Sequence, residues 1–241
     1  MPNDYFQFQQ FRIGQSQCAM KVSTDACLLG AAADLAGATR LLDIGTGTGL
    51  LALMAAQRHP SVAIDAVEID AAAAAQAAAN VARSPWAGRI RVWAQGLAAY
   101  AAGQPGVFSH IICNPPSFRQ SLRSPDAARS TARHEAPDSL SFEALAAFAG
   151  EFMHAAGLLT VLLPPHEMRA FEQDAAANGL HPATRLVVRH RPGSRPLRHI
   201  TGFRHGAVAT RETELIIRVA GDDTQYSAEF RALLAGFYLA L

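Results

Sequence analysis

The stretch LLDIGTGTGLLAL, residues 41–53, decides the fold of this 241-residue chain. An apolar run typical of a buried strand is followed by Gly45, Gly47 and Gly49 and then by a helical run. Glycines let the backbone turn tightly and approach a ligand, and a helix N-terminus presents free N–H groups. The stretch therefore predicts a strand, a ligand-binding turn and a helix.

The same alternation continues along the chain. Five runs predict strands of a parallel sheet with helices on both faces, at residues 40–44, 61–69, 89–94, 108–114 and 157–164. Helices are predicted at residues 49–59, 71–83, 142–155 and 166–178. Three later runs, at residues 184–190, 199–206 and 213–219, lack long helices between them and predict antiparallel strands at the sheet edge, before a C-terminal helix. We expect residues 1–38 to form a leading segment and residues 39–241 one α/β domain.

Composition narrows the class of protein. Half of the residues are hydrophobic, 17% are charged and the net charge is +1, which excludes a disordered or histone-like chain. The three cysteines lack metal-ligand spacing, so we expect reduced thiols and no metal site. The N-terminus lacks the layout of a signal peptide, and no stretch is long and apolar enough to span a membrane. These features predict a cytoplasmic protein.

Two acids accompany the glycine turn. Asp43 directly precedes it, and Glu68 ends the second strand, where an acid can bind both hydroxyls of a ribose. Leu50 stands where a dinucleotide-binding motif has its third glycine. The pattern resembles motif I of class I methyltransferases, which binds the amino-acid half of S-adenosylmethionine. The resemblance implies that Asp43 accepts a hydrogen bond from the ammonium group of that cofactor.

Asn114-Pro115-Pro116 follows the fourth strand, at the edge where open α/β sheets bind ligands. It fits the [N/D/S]-P-P-[Y/F/W] motif of methyltransferases that act on planar nitrogens. The Asn114 side-chain oxygen and the Pro115 carbonyl would hold both N–H groups of such an amine and orient its lone pair. Ser117 stands where the motif has an aromatic residue, so the stacking role passes to Phe118. The alternative interpretation is a rigid strand exit.

Further segments make the resemblance specific. They are FQFQQFRIGQSQCAMKVSTDACLLGAAA, IDAVEID, AAQAAANVARSPWAGRI, VLLP and YSAEFRALLAGFYLAL. From about Phe6 to Leu241 the chain resembles the bacterial tRNA1(Val) adenine-37 N6-methyltransferase family. The resemblance implies a Rossmann-like class I methyltransferase fold with a seven-stranded, mostly parallel sheet and an antiparallel C-terminal edge. It also implies S-adenosylmethionine as cofactor, a tRNA adenine next to the anticodon as substrate, and a monomer.

The family also implies roles for individual residues. Residues 1–38 would fold over the cofactor. The implied cofactor-binding residues are Lys21, Thr24, Asp25, Asp43, Gly45, Thr46, Gly47, Gly49, Glu68, Ile69, Gln95, Gly96 and Asn114, and the implied catalytic residues are Asn114, Pro115, Pro116 and Phe118. Gly96 stands where the family has an Asp near the adenine amine, and the amide oxygen of Gln95 would replace that Asp.

Ten of the 21 basic side chains fall in two segments, residues 119–133 and 185–204. Arginine suits phosphate contacts and stacking on unpaired bases. We expect Arg119, Arg123, Arg195 and Arg198 to contact RNA. Alternatively, these are solvated loops of a protein whose single lysine is Lys21.

Two other functions stay open. A protein glutamine N5-methyltransferase of the release-factor type shares the N-P-P motif, because a carboxamide poses the same geometric problem. Those enzymes carry a separate helical domain where only 38 residues precede the first strand here. Ser117 and Gly96 keep open a non-catalytic RNA-binding relative.

Overall fold

A computed structural model describes residues 4–18, 20–115 and 140–240. A small hairpin pairs β1 (Tyr5–Gln7) with β2 (Arg12–Gly14). The strands of the main sheet are β3 (Arg40–Ile44), β4 (Ala63–Glu68), β5 (Ile90–Ala94), β6 (Phe108–Cys113), β7 (Met153–Leu163), β8 (Leu180–Arg189), β9 (Pro196–His205) and β10 (Arg211–Ile216). The helices are α1 (Thr24–Ala32), α2 (Leu50–Arg58), α3 (Ala71–Ala82), α4 (Leu97–Ala102), α5 (Phe142–Phe152), α6 (Pro165–Ala177) and α7 (Ala228–Leu234), with a 3₁₀ turn at Ala87–Arg89.

The main sheet has the strand order β10-β8-β9-β7-β6-β3-β4-β5. Strand β9 is antiparallel to β7 and β8, and the other pairings are parallel. The α/β class, the mostly parallel sheet and an antiparallel strand near the C-terminal edge are confirmed. The third late run is not antiparallel as expected, because β10 pairs parallel with β8. The expected number of seven strands is wrong, because the described residues form eight and all three late runs join the sheet.

Both faces of the sheet are covered. Leu41 and Leu42 are neighbours in β3 and point to opposite faces, and each is fully buried in a different apolar cluster. The Leu41 cluster includes side chains of α1, α2 and α7, and the Leu42 cluster includes side chains of α5 and α6. This layering leaves the strand ends as the place where loops gather.

The predicted boundary between α5 and β7 is wrong. The helical prediction for residues 142–155 ends at Phe152 in the structure, and β7 begins at Met153. Met153 pairs with Phe108 of β6, followed by a shift in register. Alanine has high helix propensity, which favoured a longer helix at residues 155–156, but pairing with β6 decides the conformation. No helix within the described ranges is long and apolar enough to cross a membrane.

The chain termini contact each other beside the sheet. The Gln9 side chain donates to the carbonyls of Ala235 (2.8 Å) and Tyr238 (2.6 Å), just beyond α7. The rings of Phe8 and Tyr238 lie 6.0 Å apart. The hairpin is therefore fixed to the main domain. That residues 1–38 cover a cofactor stays a prediction.

Candidate active site

The ends of four parallel strands form one edge of the sheet. Ile44 pairs with Val67 and Cys113, and Glu68 pairs with Ala94. The residues that follow β3, β4, β5 and β6 are therefore close together. The structure gathers at this edge the candidate residues around the glycine turn, Glu68, Gln95 and Asn114.

The glycine turn adopts backbone angles that other residues avoid. Gly45 and Gly47 have φ values of +68° and +55°, and in the part of the chain that the structure describes no atom lies within 4 Å of where a Cβ would stand on either. Conformation, not space, therefore requires glycine at both positions. The amides of Gly45 and Thr46 both donate to the carbonyl of Val67, at 2.9 and 3.1 Å, which anchors the turn to β4.

Asp43 is fully buried beneath this turn. Its Oδ2 accepts hydrogen bonds from the Thr46 hydroxyl (2.5 Å) and the Ala52 amide (3.1 Å), while its Oδ1 has no hydrogen-bond partner among the described residues. Burial raises the pKa of Asp43 from its ordinary 3.8 to about 7, and Glu68 adds to the rise. An unpartnered buried acceptor costs about 1–3 kcal/mol, so the site suits a ligand that donates a proton or brings positive charge.

Glu68 is held by backbone amides at the end of β4. Its Oε2 accepts from the Gly47 amide (2.8 Å) and its Oε1 from the Asp70 amide (3.0 Å). Each carboxylate oxygen keeps a further lone pair, and the side chain is half-buried. This arrangement suits a pair of neighbouring hydroxyls.

An apolar surface lies beside these acids. Ile69 is 49% exposed, and a Cβ on Gly96 would stand 3.2 Å from its Cδ1. Gly96 thus lies against the isoleucine, and a longer side chain there would crowd it. Gln95 is half-buried just before Gly96. The surface suits one face of a planar ring.

Asn114 and Pro115 directly follow β6 at the same edge, the first half-buried and the second buried. Cys113 before them is fully buried, and burial raises its thiol pKa well above the ordinary value of 9.0. The predicted residues Pro116, Phe118, Arg119 and Arg123 lie outside the described residues, as does Ser117.

Residues before the sheet approach this edge. The Gln15 Oε1 accepts from the Val22 amide (2.9 Å), which tethers the segment between them. Burial, with contributions from the charges of Glu68 and Asp70, raises the pKa of the Cys18 thiol to about 11. The Ser16 hydroxyl donates to the Gln76 side-chain oxygen at 3.4 Å, so this segment lies against α3.

The other candidates in the leading segment lie at the start of α1. Lys21 and Thr24 are exposed. The Asp25 carboxylate is paired with the Arg198 guanidinium, at 2.8 Å between Oδ2 and Nε. An expected cofactor residue and an expected RNA residue therefore bind each other.

Arginines of the late strands reach the same edge, because His199 of β9 pairs with Leu163 at the end of β7. Many are matched by acids: Arg185 by Glu172, Arg189 by Glu214 and Arg191 by Asp223. Arg195 is exposed in the turn between β8 and β9. Positive charge in this segment is thus partly neutralised.

Two buried amides of α3 were missed by the sequence analysis. Gln76 and Asn80 are 9% and 1% exposed. Asn80 hydrogen-bonds both Gly14 of the hairpin and Thr48 of the glycine turn. The available signal was two polar residues four positions apart in a helix otherwise built of alanine and valine.

Outside residues 1–3, 19, 116–139 and 241, which the structure does not describe, no group of three or more histidine, cysteine or acidic side chains could hold a metal ion.

The sequence of the chain is similar to that of known methyltransferases. The model of the methyltransferase small domain family matches residues 20–144. The chain is similar to a tRNA1(Val) (adenine(37)-N6)-methyltransferase of Bacteroides fragilis, with 41% identity over 100% of both chains. It is similar to one of the same name from Serratia proteamaculans, with 44% identity over 97% of this chain and 89% of the relative.

Among solved structures, the chain is similar to a predicted O-methyltransferase from Agrobacterium tumefaciens. The TM-score is 0.62 at 23% identity, and the match covers 88% of this chain and 96% of that one. This likeness concerns the fold.

Proposed function

The chain belongs to the bacterial tRNA1(Val) (adenine(37)-N6)-methyltransferase family, and from that premise we propose that it methylates N6 of an adenine in tRNA, at position 37. The observation that carries the proposal is the position of Asn114-Pro115, which directly follow β6 at the sheet edge that also holds Asp43 and Glu68. Sequence identity of 41% to the Bacteroides fragilis relative, over the full length of both chains, supports the same substrate for this protein.

S-adenosylmethionine is the cofactor, and the residues present fit it. The unpartnered Oδ1 of Asp43 suits the ammonium group, and the free lone pairs of Glu68 suit the ribose hydroxyls. Ile69 and Gly96 suit one face of the adenine, with Gln95 beside them. When bound, the cofactor supplies an electrophilic methyl group on a sulfonium. Lys21, Thr24 and the turn residues Gly45–Gly49 complete the proposed cofactor site.

The acceptor nitrogen is a poor nucleophile because its lone pair is delocalised into the adenine ring. The Asn114 side-chain oxygen and the Pro115 carbonyl can accept both N–H groups and leave the lone pair free on the third side. Each acceptor also stabilises the positive charge that develops on the nitrogen. The proton leaves to water after transfer, so no general base is required. Pro116 stiffens the turn and Phe118 stacks on the flipped base in this proposal.

In this proposal the tRNA is held by basic side chains. We assign phosphate contacts to Arg119, Arg123, Arg195 and Arg198, with Arg198 already oriented by Asp25. A tRNA substrate supports a cytoplasmic location for the protein. One copy of the chain carries every proposed catalytic residue, so we propose that it acts as a monomer.

The test is methyl transfer from S-[methyl-³H]adenosylmethionine to an unmodified tRNA1(Val) transcript. Digestion to nucleosides should give labelled N6-methyladenosine, and the variant Asn114→Ala should give almost none. An adenine-37 substitution in the transcript should also abolish labelling. Label in a protein fraction would instead favour the glutamine methyltransferase. Cofactor binding without any labelled acceptor would favour the non-catalytic relative.

A further inference from the structure

Asn80 joins the N-terminal hairpin to the glycine turn of the proposed cofactor site. It lies in α3, eleven residues after Ile69 of that site, and is 1% exposed. Its Oδ1 accepts from the Gly14 amide at 2.8 Å. Its Nδ2 donates to the carbonyls of Gly14 (2.8 Å) and Thr48 (2.9 Å). One side chain therefore binds β2 of the hairpin and the glycine turn at once.

The contact is built from both sides. A Cβ on Gly14 would stand 2.8 Å from the Gln76 Nε2 and 3.1 Å from the Asn80 Oδ1, so glycine is what allows the hairpin to approach α3. Gln76 lies one turn earlier on the same face and contacts Asn80 and the Ser16 hydroxyl, each at 3.4 Å. The rings of Phe11 and Trp86 meet edge to face beyond the helix, with centroids 5.7 Å apart.

The two partners of Asn80, the hairpin and the glycine turn, explain why this residue affects the proposed cofactor site. On one side, Gly14 leads into Ser16, whose hydroxyl donates to the Gln76 side chain of α3 at 3.4 Å. On the other, Thr48 belongs to the turn whose Gly47 amide binds the Glu68 carboxylate. Movement of the glycine turn relative to the hairpin would therefore shift the Gly47 amide that holds Glu68.

We propose that Asn80 is a positioning residue that sets the separation between the N-terminal hairpin and the glycine turn, and thereby the affinity for the cofactor. The inference rests on the proposed methyl transfer only for its kinetic readout. It acts through Gly14 and Thr48 and does not touch the reacting atoms.

The decisive variant is Asn80→Asp, which conserves shape. A carboxylate can still accept from the Gly14 amide, but it sets an oxygen against the carbonyls of Gly14 and Thr48. Loss of these donated bonds should raise the Kd and KM for S-adenosylmethionine about tenfold. The kcat at saturating cofactor should stay within about twofold of wild type, the signature of lost ground-state binding.

Asn178→Ala is the matched control. The Asn178 Nδ2 donates to the Asp174 carbonyl at the far end of α6, so the control removes a half-buried amide contact away from the site. It should lower the melting temperature and leave the Kd unchanged. If Asn80→Asp behaves like this control, with a lower melting temperature and the wild-type Kd, the proposal is wrong.

Gly14→Ala tests the same contact from the hairpin and serves if Asn80→Asp does not fold. It too should raise the Kd, and a wild-type Kd would overturn the proposal. The double variant should bind the cofactor no more weakly than the poorer single variant, since both disrupt one contact, whereas additive effects would show separate causes. The Kd is measured without tRNA, so a wild-type protein that binds cofactor but labels no adenine would refute the proposed function and leave this inference intact.

Discussion

The ionisation of Asp43 should set a pH-dependent penalty on the stability of the cofactor-free protein. Burial raises its pKa from 3.8 to about 7, which corresponds to about 4 kcal/mol at about 1.4 kcal/mol per pH unit. The folded protein favours the protonated form of Asp43, so the contribution of this acid to the free energy of unfolding is fully present below pH 3.8. It is lost as the pH rises through 7. Between pH 5.5 and 8 the loss amounts to about 2 kcal/mol.

Asp43→Asn isolates this effect, because an amide resembles the protonated acid. Its oxygen can still accept from Thr46 and Ala52, while its NH₂ takes the place of the unpartnered Oδ1. The free energy of unfolding of the variant, relative to that of wild type, should therefore rise by about 2 kcal/mol between pH 5.5 and pH 8. Urea unfolding of both proteins at the two pH values, without cofactor, measures the difference. A stability difference that is the same at both pH values would refute the reasoning.

Binding of the cofactor should reverse the order of stability of wild type and Asp43→Asn. An ammonium group beside the ionised Asp43 satisfies Oδ1 and stabilises the charged form. Saturating S-adenosylmethionine should therefore stabilise wild type more than Asp43→Asn at pH 8, in proportion to its lost affinity. Equal stabilisation of both would show that Asp43 does not contact the ammonium group.

Three further predictions concern other residues of the site. Asn114→Ala should lower the single-turnover rate of methyl transfer by about 10²–10³ and leave the cofactor Kd within about threefold, and an equal loss in both would point to misfolding. Glu68→Gln should raise the cofactor Kd by about ten- to a hundredfold in calorimetric titration, because it removes the charge from acceptors of strong hydrogen bonds; an unchanged Kd would exclude the ribose contact. Arg195→Ala should raise the KM for tRNA and reduce the salt slope of binding by about one, whereas Arg191→Ala, already paired with Asp223, should change both less.

Much of the site follows from strand order and motif. Asp43, Glu68 and Asn114 come at or directly after three strands, and parallel strands end at one edge. Their proximity was therefore predictable. The pairing of Asp25 with Arg198 was not, because it joins residues 173 positions apart across α1 and β9. The acids that neutralise the late arginines were missed for the same reason.

The motif around the glycine turn therefore determined by itself the α/β class, the ligand edge and the acids beside the turn. Local backbone demands and the period of buried residues act over a few positions and can be read along the chain. The tertiary structure alone decided the parallel pairing of β10 with β8, the early start of β7 and the role of Asn80. Each depends on which distant backbone group a strand or side chain meets. Buried amides are the clearest case, because Asn80 has partners only once the hairpin and the glycine turn both lie against α3.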